Sequence, residues 1–160
     1  MSDMENLEAP GTTSGGLPRP ADKFDRPGYE IFVPGACLKI GSKMWDQDHR
    51  KDGVWLRMVY LTASEEIEAL NEAQRAGAMV VAQTFTARKS VVAIASAKAP
   101  DDDGVRGMGE WKRVPKLDAP AVWEELGFQG RNIAYQAFNL ANSASEENRE
   151  AALKSFRVVG

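Results

Sequence analysis

Eight consecutive residues from Val54 to Leu61, VWLRMVYL, hold a single polar side chain, Arg57. A strand with one wet face alternates apolar and polar residues, and this run does not. It is short for a helix, and its Val, Trp and Tyr content favours an extended backbone. The run therefore predicts a central strand covered on both faces. Such a strand needs two covering layers, hence a sizeable stock of apolar residues. With 160 residues, 43% of them apolar, the chain can supply one such domain and not two.

The elements around this run are legible from local signals. Tyr29–Val33 is aromatic and β-branched and reads as a strand ended by Pro34-Gly35. Ala36–Ile40 is a second short candidate strand, and the polar stretch Trp45–Gly53 reads as a loop. Thr62-Ala63-Ser64-Glu65 is a capping box that opens a helix to about Ala76, stopped by Gly77. Ile67, Leu70, Ala73 and Gln74 are expected on its docked face, with Glu66, Glu68 and Glu72 in water. Ala78–Thr86 and Ser90–Ala97 read as an antiparallel hairpin with Arg88 and Lys89 at its tip. Lys98–Leu117, with Asp101-Asp102-Asp103-Gly104 and Trp111, reads as one long loop.

The last third is helical. Asp118 is a good N-cap for a short helix that Gly127 ends, and a second helix runs from Gly130 to about Asn142. Ser143-Ala144-Ser145-Glu146 is a further capping box, opening a helix to about Phe156 with Leu153 and Phe156 inside. The expected fold class is α+β: a small, mainly antiparallel sheet of about four to five strands, one helix between strands, and two to three C-terminal helices.

Residues 1–28 differ in character. Gly, Pro, Ser and Thr dominate, and large apolar residues are too sparse to bury a core. The expectation is a flexible or extended arm over 1–28 and a single domain over 29–160, with Phe24 and Tyr29 as anchors against a partner. The acidic start (Asp3, Glu5, Glu8) lacks the basic and apolar blocks of a secretory signal, so a cytosolic setting is expected.

Composition narrows the chemistry. Twenty Lys+Arg against 23 Asp+Glu give a net charge of −3, which argues against a polybasic nucleic-acid or membrane-surface binder. A lone cysteine, Cys37, cannot form an internal disulfide, and a lone histidine, His49, leaves few routes to a metal site. Asp46–Asp52 starts like a calcium loop but puts Arg50 and Lys51 where oxygen and glycine are required. Asp101–Gly104 fails the same test, with Arg106 in the glycine slot, and reads as a solvated acidic turn. Gly35–Lys43 has the wrong spacing for a phosphate loop. Cys37 sits among apolar neighbours, where a thiol is normally a small buried hydrophobe. Arg88, Lys89, Arg106, Lys112, Arg113 and Lys116, with Trp111, read as solvated or partner-facing loop residues. No catalytic, cofactor or metal residue is assigned. The candidate interface residues are Phe24, Tyr29, Arg88, Lys89, Trp111, Lys112 and Arg113.

The C-terminal half carries a resemblance. Trp123-Glu124-Glu125-Leu126-Gly127-Phe128 leads into Ile-Ala-Tyr-Gln-Ala-Phe-Asn-Leu-Ala-Asn (Ile133–Asn142) and then Ser145–Phe156. This succession resembles the close of tail and baseplate assembly proteins of tailed bacteriophages. There a short helix leads to an x-A-[YF]-N-x-[LI]-N helix and an acidic helix ending in Ser plus an apolar residue. The matching positions here are Ala137, Phe138, Asn139 and Asn142, then Glu146, Glu147, Ser155 and Phe156. The resemblance implies a non-enzymatic tail or baseplate component, or a tail-assembly chaperone, without cofactors. Its partners would be other tail or baseplate proteins or further copies of itself, in the host cytoplasm during assembly and in the virion if retained. The alternative is a small cytosolic enzyme or regulator using Cys37 and His49, or the acidic residues 101–104.

Overall fold

The computed structural model describes residues 23–77, 82–114, 119–143, 145–147, 150 and 157–159. The apolar run forms strand β2 (Val54–Val59), and all six of its residues are buried. On one side β2 pairs antiparallel with β1 (Gly28–Val33), in the register Ile31↔Leu56 and Glu30↔Arg57. On the other it pairs antiparallel with β3 (Val91–Pro100), with a bulge after Arg57. β4 (Arg106–Met108) and β5 (Lys112–Arg113) both line the far edge of β3, and β6 (Arg157–Val159) pairs with Gly28–Glu30 of β1. Six strand segments thus occupy five ranks in the order β4/β5, β3, β2, β1, β6. The fold class is α+β, with every described strand pair antiparallel.

Helices cover one face of the sheet. Tyr29, Ile31 and Val33 of β1 and Val54, Leu56 and Met58 of β2 point into it. They meet Ala87 of α3 (Ala82–Ser90), Val122 and Trp123 of α4 (Ala119–Glu125), and Ala134, Ala137, Phe138 and Ala141 of α5 (Gly127–Ala141). α2 (Ala63–Arg75) packs outside α3 rather than on the sheet. Gly127, at φ +77°, turns the chain between α4 and α5. The opposite face is covered by Trp111 and Met108 over Trp55, Ala95 and Ala97, and by the segment Lys23–Pro27. The central position expected for β2, closed on both faces, is what forms.

Several local expectations are corrected. Ala36–Ile40 is not a strand. Gly35–Cys37 forms a 3-10 turn, with the Cys37 amide donating to the Pro34 carbonyl at 2.9 Å. A Cβ on Gly35 would lie 2.2 Å from the Arg50 carbonyl oxygen, so the chain passes too close to its neighbour to run straight. The Trp45–Gly53 "loop" contains α1 (Gln47–Asp52), capped by Asp46. No residue of α1 is buried, so it has no apolar periodicity to betray it.

The capping box at Thr62 and Glu65 forms as expected, but the docked face of α2 is rotated. Ala73 is buried as expected, together with Ala69, while the expected Ile67 and Leu70 are 58% and 43% exposed. Small residues allow the close approach of α2 to α3, which Ile and Leu would block. The strand and basic tip expected over Ala78–Lys89 are replaced, from Ala82 on, by α3; residues 78–81 lie outside the described residues. Tertiary packing overrides β-propensity there: Ala87 is fully buried, and Lys89 reaches Glu68 and Glu72 of α2 at 3.0 and 3.7 Å.

The expected long loop from Lys98 contains three pieces of strand: the end of β3, β4 and β5. β3 continues to Pro100, and Asp101 closes a tight turn by accepting, through Oδ1, from the amides of Asp103 and Val105. α5 begins at Gly127, three residues before the expected Gly130. The Asp118 cap, residues 1–22 of the expected arm, and Leu153 and Phe156 of the expected last helix lie outside the described residues. Lys23–Pro27, placed in the arm by composition, packs against the sheet.

Candidate functional site

Two places gather polar and aromatic side chains. The first is a cleft of about 440 Å³ on the helical face, where α1, α4 and the β3–β5 edge leave a gap. Its walls are mainly apolar (Met44, Trp45, Ile94, Val114, Val122), and Glu110, Lys112 and Arg113 add charge. This size falls in the ordinary range of ligand and side-chain pockets. Inside it His49 Nε2 lies 2.8 Å from Ser96 Oγ. α1 presents His49 because His49 is also the third helical residue of its own cap. The Asp46 carboxylate accepts from the His49 amide at 2.8 Å, and the Asp46 amide donates to His49 Nδ1 at 3.3 Å.

Two contacts compete at Nδ1. The Asp46 carboxylate, 3.1 Å away, suits a proton on Nδ1, whereas the Asp46 amide at 3.3 Å suits a proton on Nε2, donated to Ser96 Oγ. A hydroxyl activated as a nucleophile needs the reverse, with the imidazole accepting its proton. Asp46 lies 3.1 Å from Nδ1 and completes a Ser–His–Asp succession in space, but one wired as a helix cap. The His49 amide holds the Asp46 carboxyl below its usual range; desolvation opposes this, and the nearby imidazole adds to the lowering.

The second place is on the opposite face of the sheet. Phe24 packs edge-on to Trp111 at 5.7 Å, and the guanidinium groups of Arg113 and Arg57 stand 4.4 and 5.5 Å from its ring. Alongside, Phe32 packs on Trp55 at 5.7 Å and receives Arg106 at 4.3 Å. Of the interface residues expected from sequence, the fold brings Phe24, Trp111 and Arg113 together here, and they face one another. Lys112, next to Arg113 on β5, is exposed and lines the cleft on the other face.

Three of the expected interface residues are placed elsewhere. Tyr29 is fully buried under α5, so it cannot anchor a partner; its face of the strand is the core face. Burial, and then Tyr60, push its phenol above the ordinary range, while a hydrogen bond with Asn142 opposes this. Arg88 stacks on Phe85 at 4.6 Å. Lys89 is buried between α3 and α2, because its hairpin tip does not exist.

Cys37 is half-buried and packs against the main core. Among the described residues no group of three His, Cys, Asp or Glu side chains is placed to hold a metal. Also among them, no helix is long and apolar enough to cross a membrane. Sequence reading missed the His49–Ser96 pair. It also missed a conspicuous surface feature: Ile40 and Phe128 are 90% and 79% exposed. The only available signal for Phe128 was its place directly after a helix-ending glycine.

No family model, curated protein or solved structure matches this chain.

Proposed function

We propose that the chain is a non-enzymatic structural or assembly component of a tailed bacteriophage, a tail or baseplate protein or a tail-assembly chaperone, acting by packing against other proteins. The carrying observation is the distribution of apolar surface. Ile40 and Phe128 are nearly bare at one corner, and Ile67 and Leu70 form an uncovered stripe on α2. Single exposed apolar residues are ordinary, but grouped ones mark contact sites. The polar groups that chemistry would need are meanwhile engaged in structural bonds, as His49 and Asp101 are. The resemblance adds the phage context: in α5, Ala137 and Phe138 are the inward packing residues and the Asn142 side chain donates to the Phe138 carbonyl at 2.9 Å.

Size-exclusion chromatography with purified tail-tube, tape-measure and baseplate proteins tests this reading. It expects a stable complex with at least one of them. Separate elution from every tail subunit contradicts it.

One observation favours a second reading, a small hydrolase: the Ser96–His49 pair lies inside a cleft of suitable size. That reading requires the imidazole to exchange its Asp46 amide bond for a carboxylate bond. It expects hydrolysis of a p-nitrophenyl ester that Ser96→Ala abolishes.

A further inference from the structure

The cleft between α1, α4 and β5 offers apolar walls and two charges of opposite sign. Trp45, Val114 and Val122 supply indole and branched alkyl surface, and the small Ala121 leaves space beside them. Glu110 and Lys112 are both exposed and both line this cleft, while Trp111 between them turns to Phe24 on the other face of the sheet. Neither the Glu110 carboxylate nor the Lys112 ammonium makes a hydrogen bond or ion pair with another described residue; Lys112 acts on Asp46 only through space. Arg113 also lines the cleft, but its guanidinium stands 4.4 Å from the Phe24 ring. Its charge is thus spent on the other face, and the cleft keeps one carboxylate and one ammonium. The Ser96 hydroxyl, 2.8 Å from His49 Nε2, adds a polar group in the same space.

We infer that this cleft is a binding site for a small zwitterion, a free α-amino acid with a bulky apolar side chain. Its carboxylate meets Lys112, its ammonium meets Glu110, and its side chain enters between Trp45 and Val122. An ion of either sign alone would leave one of the two cleft charges without a counter-charge, and an uncharged ligand would leave both. A zwitterion answers both at once. The volume of about 440 Å³ is ample for such a molecule. A pocket of this kind takes its affinity from apolar walls and its selectivity from a few polar groups. The inference goes beyond the packing reading and does not depend on it. It also differs from the hydrolase reading, since no bond is made or broken.

Calorimetric titration of the full chain tests it, with circular dichroism to verify folding of each variant. The probes are L-phenylalanine and L-leucine, then the N-acetyl and carboxamide forms of whichever binds more tightly. The free amino acid should bind at least about tenfold more tightly than either blocked form, because each block removes one charge-assisted contact. In Lys112→Gln the carboxamide should bind as well as the free amino acid, and in Glu110→Gln the N-acetyl form should do so. Ala121→Trp, at an exposed position of α4, should fill the cleft and abolish binding; if it does not fold, Ala121→Met replaces it. Failure of both amino acids to bind overturns the inference. So does a blocked form that binds wild type as tightly as the free amino acid, or binding that is indifferent to the filled cleft. Amino-acid binding by a chain that elutes apart from every tail subunit overturns the proposed function alone.

Discussion

Glu65 does two jobs with one carboxylate. Its Oε1 accepts from the Thr62 amide at 2.9 Å and closes the cap of α2. The same group takes both guanidinium nitrogens of Arg26, at 2.6 and 3.0 Å, and Lys23 at 3.2 Å, which ties the Lys23–Pro27 segment to the helix. Burial opposes its ionisation, but the Arg26, Thr62 and Lys23 bonds outweigh burial and bring its pKa down to about 2. A depressed carboxyl stabilises the fold fully above its ordinary value of 4.5, and that contribution is lost as pH falls from 4.5 towards 2. Urea unfolding should therefore show wild type losing more stability than Glu65→Gln between pH 6 and pH 3. At pH 7 the substitution should cost about 1–3 kcal/mol. Equal acid sensitivity of the two proteins contradicts this role. The cap was legible because Thr62 and Glu65 are three residues apart. The clamp was not, since Arg26 lies far away in sequence.

Arg57 makes the other residue-scale point. It was readable as the odd polar residue in an apolar run, but not what it would meet. It is 2% exposed and donates to the carbonyls of Phe24 and Arg26, at 3.0 and 2.6 Å through Nη2. Its Nη1 finds no acceptor among the described residues, and burial lowers its pKa against the pull of Glu30 and Asp25. A buried cation with incomplete partners is a weak source of stability, because desolvation offsets much of what its hydrogen bonds contribute. Arg57→Ala should cost about 2–5 kcal/mol in urea unfolding, through a cavity and two abandoned carbonyls. Arg57→Met, which keeps the volume, should cost less than about 1.5 kcal/mol. The order reversed would show that the charge itself holds the segment.

At the scale of elements, α2 shows where pattern and packing part company. Its start and end are written in Thr62, Glu65 and Gly77, and they form as read. Its docked side is only partly so: Ala73 lies on it as read, but hydrophobic periodicity ranks Ile67 and Leu70 above Ala69. What decides is the partner: α2 meets another helix at close range, and small residues win there. Ile67→Lys should then change stability by less than about 0.5 kcal/mol. Ala73→Leu should cost about 1–3 kcal/mol by overpacking, read by thermal or urea unfolding. α1 and α3 were hidden for opposite reasons. α1 buries nothing, and α3 is rich in Thr and Phe that favour strands in isolation.

For the whole molecule, the sheet core was the most legible part. A run such as Val54–Val59 can only be central, and both neighbours announce themselves by β-branched content. The candidate sites were the least legible. The cleft joins α1, β3, β5 and α4, and the exposed Ile40 and Phe128 belong to a loop and a helix junction that meet only in the fold, so neither feature exists in any contiguous stretch. The proposed role places the work of this chain in such surfaces rather than in Cys37 or a catalytic His49. Complementation of a tailed phage deleted for the gene tests that claim most directly, read by infectious titre and by electron microscopy of the particles. Wild type and Cys37→Ser should restore complete tails, whereas Phe128→Asp, folded and expressed, should leave titre reduced at least about tenfold. Complete tails made without the gene, or full rescue by Phe128→Asp with failure of Cys37→Ser, would contradict it.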